Sequence, residues 1–512
     1  MRTARMLGAA GLVVALAAGP ATAAPSPPPA PRPQIGEDRL RTALDRLDGY
    51  VLDGMKRTGV PGVAVAVVHR DKVVHVKGFG VRQAGRPEKV DPDTVFQVAS
   101  LSKPLASTVV AGALDRPEDW DRHRDLPGFA LKDPWVSSHV TTADLFAHRS
   151  GLPDHAGDLL EDLGYDQAYI LDRLRLEPLT PFRDSYAYTN FGLTAAAESV
   201  ARAKGTSWAE LSEAELFGPA GMTRTGTTYE DFTRRPDRAV LHVKAADGSW
   251  KPSPGRDPDA QAPAGGASST VNDLARWMRL QLGEGVLDGK RVIAAAPLER
   301  THVPAVVSQP PATATARTGF YGLGWNVSYD DAGRLRLSHS GAFALGANTN
   351  VTLLPLEELG IVVLTNAAPV GLADAIALDF FDTAEHGRPT ADWLDLAASL
   401  YAQQEQAERS PTDYAHPPAG ARPARADDAY TGTYTNPYYG RLTVARGPSG
   451  GLTLSLGPKP MTFPLTHYDG DTFSFETAGE NAVGRTGVVF GRDGTVRVEY
   501  LDTDGLGTFT RV

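Results

Sequence analysis

The sequence predicts an α+β protein, with an antiparallel sheet flanked by helices plus a helical subdomain, followed by a small all-β C-terminal domain. Two β runs at residues 63–68 and 73–79 are joined by four residues, as in an antiparallel hairpin. A second strand pair lies far downstream, at residues 349–354 and 360–364. The region between the pairs is rich in Ala and Leu with helical periodicity. Both ends of the first domain are therefore expected to contribute strands to one sheet.

The last part of the chain predicts the all-β domain. Residues 430–512 consist of short alternating runs separated by Gly and Asp turns, such as residues 452–456 and 495–500. This pattern is typical of a small barrel or sandwich.

Helices are indicated by spacing and by capping residues. Residues 39–56 carry apolar side chains at an i, i+4, i+7 spacing, which predicts an amphipathic helix. Residues 207–216 and 271–282 also have helical periodicity, and Thr270 or Asn272 is the expected cap of the second of these helices.

Composition narrows the class of protein. The chain has 512 residues, 42% of them hydrophobic and 22% charged, with a formal net charge of -10. These values are typical of a globular protein with more than one folding unit. Because no Lys/Arg stripe is present to neutralise phosphates, we expect no nucleic-acid partner. The chain has no Cys, so it can form neither a disulfide nor a lipid-modified cysteine.

The N-terminus predicts export. Arg2 and Arg5 precede an apolar run at residues 7–18 and a small-residue cleavage site at residues 21–23, so residues 1–23 are expected to be a signal peptide. The alternative is a membrane anchor, but the run is shorter than the ~20 residues that cross a bilayer. We therefore expect no transmembrane segment in the mature chain, which would be secreted or cell-wall associated.

The remaining boundaries follow composition. Residues 24–36 are a Pro/Ala-rich tether, expected to be disordered, and residues 37–408 form the first domain. Residues 409–428 are rich in Pro, which predicts a linker to the β domain at residues 429–512. Such a linker predicts a separable accessory domain, which either shapes one edge of a cleft in the first domain or recognises a partner or polymer; we favour the first role. The sequence indicates no oligomeric state.

The first chemical motif is S-x-x-K, formed by Ser100 and Lys103. It follows a β-leaning segment and opens an apolar run, which predicts a helix start. Residues three apart share one face of a helix, so the Lys103 amine is expected to reach the Ser100 hydroxyl and remove its proton. The alternative is an N-cap serine followed by a surface lysine.

The second motif is Y-x-N, formed by Tyr188 and Asn190. A phenol can share proton transfer with the lysine, and the amide can hold Lys103 while also binding a substrate amide. The same tripeptide recurs at residues 434–436, where we interpret it as a turn in the β domain.

The third motif is His339-Ser340-Gly341, at the end of an alternating run. Ser340 can donate to a substrate carboxylate and Gly341 permits close backbone approach. The N–H of Ala342 could join that of Ser100 in an oxyanion hole. The alternatives are a plain strand end, or R-T-G triplets such as residues 317–319 in the same role.

The order of these three motifs resembles the serine β-lactamase and penicillin-binding-protein-like family, in the group of class C β-lactamases, D-aminopeptidases, D-Ala-D-Ala carboxypeptidases and esterases. The likeness extends over residues 37–366 and includes the sequence segments at residues 95–100, 148–153, 218–222 and 361–366. The tail, at residues 430–434 and 467–471, resembles the β-barrel extension found in several of these proteins.

The resemblance implies a β-lactamase/transpeptidase-like fold and an acyl-enzyme on Ser100, with neither metal nor cofactor. Catalytic and binding roles are implied for Ser100, Lys103 and Tyr188 and for Asn190, His339, Ser340 and Gly341, with an oxyanion hole at Ser100 and Ala342. In the β-lactamases of this group lysine is more frequent than histidine at the position of His339, and imidazole attracts carboxylates less strongly. We therefore expect the substrate to be a D-amino-acid peptide, such as one derived from the cell wall, or an ester, with β-lactam hydrolysis as a side activity.

Two rival functions belong to other classes. A penicillin sensor or binding protein would be acylated on the same serine without turnover. A metal hydrolase is disfavoured because the twelve His are scattered and no H-E-x-x-H occurs.

Overall fold

The structure is a computed structural model that describes residues 33–123, 125–253, 255–448 and 450–512. The expected signal peptide and most of the expected tether lie outside the described residues. In the part of the chain that is described, no helix is long and apolar enough to cross a membrane.

The strands of the first domain come mainly from its two ends. In chain order they are β1 (Gly62–His69), β2 (Lys72–Gly80), β3 (Phe96–Gln97), β4 (His242–Lys244), β5 (Trp250–Pro252), β6 (Ser268–Ser269), β7 (Val286–Leu287), β8 (Lys290–Arg291), β9 (Val306–Gln309), β10 (Gly319–Tyr321), β11 (Asn326–Tyr329), β12 (Leu335–Phe343), β13 (Ala347–Leu354) and β14 (Leu359–Thr365). Eight of them form one sheet in the order β2-β1-β14-β13-β12-β11-β10-β9, and the others pair as β3-β6, β4-β5 and β7-β8.

The sheet is antiparallel throughout and joins the two ends of the domain. β1 pairs with β2 as the expected hairpin, with a bulge between Val67 and Val68. β1 also pairs with β14, placing Val63 opposite Thr365 and His69 opposite Leu359. Side chains alternate along a strand, so Val63, Val65 and Val67 pack in the core on one face of the sheet. Ala64, Ala66 and Val68 pack in the core on the other face, which explains why this run is apolar on both faces.

The helices cover both faces. They are α1 (Glu37–Thr58), α2 (Ser102–Ala113), α3 (Pro134–His139), α4 (Thr142–Phe146), α5 (Asp158–Asp162), α6 (Gln167–Arg173), α7 (Asn190–Ala203), α8 (Trp208–Ser212), α9 (Gly218–Ala220), α10 (Tyr229–Thr233), α11 (Ala262–Gly265), α12 (Val271–Leu282), α13 (Ala295–His302), α14 (Leu372–His386) and α15 (Trp393–Glu408). Of the two expected caps, Thr270 caps α12, its Oγ1 accepting the Asp273 N–H at 3.1 Å. The helix expected at residues 207–216 is α8, continued by a π-helical turn at Glu213–Phe217.

The C-terminal domain is a closed antiparallel barrel. Its strands are β15 (Gly432–Asn436), β16 (Gly440–Arg446), β17 (Leu452–Leu456), β18 (Met461–Asp469), β19 (Thr472–Glu476), β20 (Arg485–Phe490), β21 (Thr495–Val498) and β22 (Thr508–Arg511). β22 closes the barrel on β15, with Thr435 opposite Thr510. The expected fold class, an α+β domain followed by an all-β domain, is confirmed.

The barrel is not held at a distance by the Pro-rich segment. Within that segment the Ser410 hydroxyl donates to Glu499 Oε1 of the barrel at 2.8 Å, and Arg422 forms an ion pair with Asp469 at 2.7 Å. The segment therefore lies along the barrel surface.

Candidate active site

Ser100 lies on a sharp turn that leads into α2. The turn is a 3-10 segment at Ala99–Leu101, and Ala99 has a φ of 50°, a left-handed conformation that is strained for a residue with a side chain. Flanking bonds hold it in place: the Val98 N–H donates to Ala267 O at 3.0 Å, and the Thr349 hydroxyl donates to Val98 O at 2.9 Å. The chain thus presents Ser100 at the start of a helix, as the sequence predicted.

Lys103 is fully buried one helical turn after Ser100. Its Nζ donates to Ser100 Oγ at 3.1 Å, to Asn190 Oδ1 at 2.6 Å and to the carbonyl of Ala264 at 3.1 Å. Burial lowers the pKa of Lys103 to about 7, although the negative charge of Asp158 acts in the opposite direction. The amine is therefore available as a base near neutral pH, and the surface-lysine alternative does not match this placement.

Tyr188 completes the polar surroundings of Ser100. Burial holds the pKa of Tyr188 well above its ordinary value, although the nearby Ser100 side chain acts in the opposite direction. Lys103 Nζ lies 4.4 Å from the centre of the Tyr188 ring. Tyr188 is thus a neutral phenol that can pass a proton on, while Lys103 is the group whose protonation changes near neutrality.

Asn190 is the first residue of α7 and lies behind Lys103. Its Oδ1 accepts from Lys103, and its Nδ2 donates to Asp158 Oδ2 at 2.8 Å. The expected contact with Lys103 is therefore present. The expected second role, binding a substrate amide, would have to use the remaining amide hydrogen.

β12 places His339 and Ser340 on opposite faces of the sheet. His339 is 4% exposed and its ring lies 6.4 Å from that of Tyr188. Its Nδ1 donates to Ser340 O at 2.7 Å, so its Nε2 accepts from the Tyr321 hydroxyl at 2.8 Å. Burial and the charge of Lys103 lower the pKa of His339 to about 3, which keeps the imidazole neutral.

Ser340 does not match the role expected for it. Its hydroxyl donates to Asp374 Oδ1 of α14, on the face of the sheet away from Ser100. Asn350 Nδ2 donates to the same carboxylate at 2.8 Å. Successive side chains of a strand point to opposite faces. Because His339 lies on the face of Tyr188, the Ser340 hydroxyl points away from the site and cannot donate to a substrate there.

Gly341 brings β12 against the start of the nucleophile turn. A Cβ at this position would collide with Val98 O and Thr349 Oγ1, and would lie 3.1 Å from Ser100 N. Only glycine permits this approach. Pairing of β11 with β12 reaches only Ser338, so the edge of β12 that carries Gly341 and Ala342 has no partner in β11.

A loop of the barrel reaches the same region. Glu480, between β19 and β20, accepts from the N–H groups of Ala344 at 2.7 Å and Leu345 at 3.2 Å, in the turn after β12. It also pairs with Arg256 at 3.0 Å, and Arg256 pairs with Glu161 at 2.6 Å. Burial raises the pKa of both glutamates. The barrel therefore contributes to the wall beside the site.

Several residues of this site were not identified from the sequence, namely His155, Asp158, Arg256, Tyr321 and Glu480. His155 and Asp158 follow the segment at residues 148–153 that carried the family resemblance. Their closeness to that segment could have identified them as candidate site residues. The others are isolated in sequence and reach the site only through the fold. Among the described residues, no group of three or more His, Cys, Asp or Glu is arranged to hold a metal ion.

Comparison with known proteins agrees with this architecture. The model of the family described as Beta-lactamase matches residues 47–380, and a domain of unknown function, DUF3471, matches residues 416–508. The chain is 30% identical to penicillin-binding protein 4 of Amycolatopsis lactamdurans over 335 residues, which cover 63% of this chain and 84% of that protein.

More distant relatives extend the match. An unguisins hydrolase of Aspergillus violaceofuscus is 23% identical over 80% of this chain and 77% of its own length. The D-alanyl-D-alanine-carboxypeptidase/endopeptidase AmpH of Escherichia coli is 23% identical over 64% of this chain and 85% of its own. The structure of an octameric penicillin-binding protein homologue from Pyrococcus abyssi shares the fold, with a TM-score of 0.57 and 19% identity over 89% of this chain and 98% of that one. With its family model matched over more than half of its length, this chain belongs to the beta-lactamase family of serine hydrolases.

Proposed function

We propose that this protein is an exported serine hydrolase that acts through a Ser100 acyl-enzyme on amide or ester bonds, with D-amino-acid peptides or carboxylic esters as its substrates. The observation that carries the proposal is the Lys103 amine, 3.1 Å from Ser100 Oγ in a fully buried position. A serine hydroxyl is a weak nucleophile unless such a base is adjacent. Export depends on the N-terminal sequence pattern alone.

Acylation begins when Ser100 Oγ attacks the substrate carbonyl carbon and its proton passes to the neutral Lys103 amine. The carbonyl oxygen becomes an oxyanion, for which the N–H groups of Ser100 and Ala342 are the proposed donors. The closeness of Gly341 to Ser100 N supports this pairing. Collapse breaks the C–N or C–O bond, and the leaving amine or alcohol takes a proton delivered from Lys103 through Tyr188.

Deacylation reverses these proton movements. A water near Tyr188 attacks the acyl carbon, its proton passes to the Tyr188–Lys103 pair, and Ser100 Oγ leaves with a proton. The neutral phenol of Tyr188 fits a relay between water and amine better than a phenolate base, because burial opposes its ionisation.

The substrate class follows from the charge of the site. His339 is neutral and already accepts from Tyr321, so it supplies no cation for a carboxylate. This supports esters, and peptides cleaved away from a free carboxylate, as substrates, with β-lactam hydrolysis as a weak side activity. The relative named a D-alanyl-D-alanine-carboxypeptidase/endopeptidase supports the peptide class. The alternative remains a penicillin sensor that is acylated without turnover.

The test compares nitrocefin, a D-alanyl-D-alanine peptide and a p-nitrophenyl ester as substrates of the wild type and of Ser100→Ala. We expect continued turnover of the ester or peptide by the wild type, slow nitrocefin hydrolysis, and no reaction or fluorophosphonate adduct on Ser100→Ala by intact-mass spectrometry. An adduct on Ser100→Ala would overturn the assignment of the nucleophile. A single stoichiometric burst without further turnover would favour the sensor.

A further inference from the structure

Asp158 is a buried carboxylate that lies outside the three motifs. It is the first residue of α5 and is 3% exposed. Its Oδ2 accepts from Asn190 Nδ2 at 2.8 Å and from His155 Nδ1 at 2.8 Å. Burying a carboxylate is costly unless it is paired or hydrogen-bonded, and these two contacts offset that cost for Asp158.

The first contact decides the orientation of the Asn190 amide. An ionised carboxylate can only accept hydrogen bonds, so the amide nitrogen must face Asp158. The amide oxygen is then turned to Lys103 Nζ, at 2.6 Å. If Asp158 did not accept from it, the amide could rotate and present its NH2 group to the lysine, which would repel the amine instead of holding it.

The second effect of Asp158 is electrostatic. Its negative charge lies one side chain away from Lys103, where an opposite charge stabilises the protonated amine. The other titratable or charged groups that face Lys103 are Glu161 on α5, Arg256 on the loop before α11, His148 and His155 on the loop before α5, Tyr188 before α7, and His339 on β12. Asp158 and Glu161 favour the charged amine, whereas Arg256 and burial oppose it.

His155 moderates the charge of Asp158 from the solvent side. Its side chain is 53% exposed. Partial desolvation of the ring lowers the pKa of His155, but the hydrogen bond and charge of Asp158 outweigh this effect and raise the pKa to about 9. His155 is therefore a cation at neutral pH, bonded to the carboxylate that faces Asn190.

We propose that Asp158 is a positioning residue, which acts through Asn190 to hold the Lys103 amine against Ser100 and to stabilise its charged form. This inference rests on the proposed function, in which Lys103 is the base. It assigns to a residue outside the motifs the control of the pH range in which that base works.

The test is the pH profile of kcat/KM for a p-nitrophenyl ester, measured with the full mature chain and with Asp158→Asn. Removing the negative charge destabilises the protonated amine, so we expect the acid limb to move to lower pH by about one unit. We also expect the plateau to fall about tenfold, because the Asn190 amide is free to rotate. The matched control is Asp166→Asn, since Asp166 caps the neighbouring helix α6 by accepting the Tyr169 N–H at 2.8 Å, and this variant should keep the wild-type profile.

His155→Gln provides a second variant that keeps the buried carboxylate and changes an exposed side chain. Loss of the cation leaves the charge of Asp158 unscreened, so the acid limb should move to higher pH, opposite to the shift in Asp158→Asn. An unshifted limb in Asp158→Asn overturns the proposal, and if that variant does not fold, an unshifted or downward-shifted limb in His155→Gln overturns it.

Failure of the proposed function would look different. In that case the wild type would form no fluorophosphonate adduct, or Ser100→Ala would still form one. A labelled, active wild type with an unshifted Asp158→Asn profile rejects the positioning role alone.

Discussion

The tripeptide Tyr-Thr-Asn occurs at residues 188–190 and again at residues 434–436, and the two copies do different things. In the first copy, Tyr188 lies beside Ser100, and Asn190 opens α7 with its side chain on Lys103. In the second copy, the three residues end strand β15 of the barrel. Identical residues thus line the candidate active site in one domain and a turn in the other, because different groups lie opposite them.

The second copy bonds mainly to backbone. Asn436 Nδ2 donates to the carbonyls of Leu506 at 2.7 Å and Thr508 at 2.8 Å, while its Oδ1 accepts from Tyr438 N at 2.7 Å and Tyr439 N at 2.8 Å. The Tyr434 hydroxyl donates to Tyr430 O at 2.7 Å. This asparagine completes the bonding of a turn, whereas Asn190 bonds to two ionisable side chains.

The largest expected difference is between the two tyrosines. Tyr188→Phe removes the proton relay and should lower turnover by at least ~100-fold, with little change in thermal unfolding. Tyr434→Phe leaves the buried Tyr430 carbonyl without a donor, which should cost about 1–3 kcal/mol of stability at unchanged kcat/KM. Ester kinetics and thermal unfolding of both variants measure this. Near wild-type turnover by Tyr188→Phe would remove the distinction between the copies.

Variants of the two asparagines should show the same contrast, a kinetic loss in the first copy and a stability loss in the second, with a smaller kinetic loss than in the tyrosine variant. Asn190→Ala frees the Lys103 amine to move, so kcat/KM should fall about 10-fold to 100-fold. Asn436→Ala breaks four hydrogen bonds in a turn, so it should lower the unfolding free energy by about 2–3 kcal/mol and leave ester kinetics unchanged. Equal kinetic losses in the two variants would contradict the comparison.

The pH profile separates the copies again, because only the first faces an amine that titrates near neutrality. Lys103 must be neutral to accept a proton, and burial lowers its pKa to about 7. The rate of ester hydrolysis should therefore fall about tenfold per pH unit below that value and level off above it. The pKa of His339 is lowered to about 3 by burial, so His339 itself is expected to add no step between pH 5 and 6.5. Tyr434→Phe should retain this profile, and an acid limb that moved in that variant would show unexpected coupling.

The smallest expected effect concerns Glu480, the barrel residue that lies beside the site containing the first copy. Glu480→Gln removes the charge that pairs with Arg256 beside the site, and should change kcat/KM for a small ester by about threefold to tenfold, a change of roughly 1 kcal/mol. The control is Glu476→Gln, whose side chain is exposed on the same barrel and lies 3.7 Å from Arg485. Unchanged kinetics in Glu480→Gln would support partner recognition as the role of the barrel.

A fragment ending at residue 410 carries the same question further. The Pro-rich composition predicts that this fragment folds and reacts. In contrast, Glu480 and the bond from Tyr165 Oη to Tyr439 O at 2.9 Å join the barrel to the first domain. These contacts predict that the fragment exposes and weakens the wall of the site that the barrel covers. Thermal unfolding and fluorophosphonate labelling of the fragment decide between these expectations.

Much of the fold was predictable because its signals are local. The hairpin of β1 and β2, the strand pair β13 and β14, and helices α1 and α12 all lie where periodicity predicted them. The short strands β9 to β11 were not predicted, since they are too brief to show alternation.

For the site, the sequence by itself determined that Ser100 and Lys103 share a helical face, because this relation depends on the pitch of the local backbone. It also placed Tyr188 and Asn190 where a helix begins. Only the tertiary structure decided that Asn190 faces Asp158, that Ser340 faces away from Ser100, and that Glu480 of the barrel lies beside the site. It also decided the pKa of Lys103. Burial and charge are sums over neighbours that are distant in the chain, and no spacing of residues along the sequence can state them.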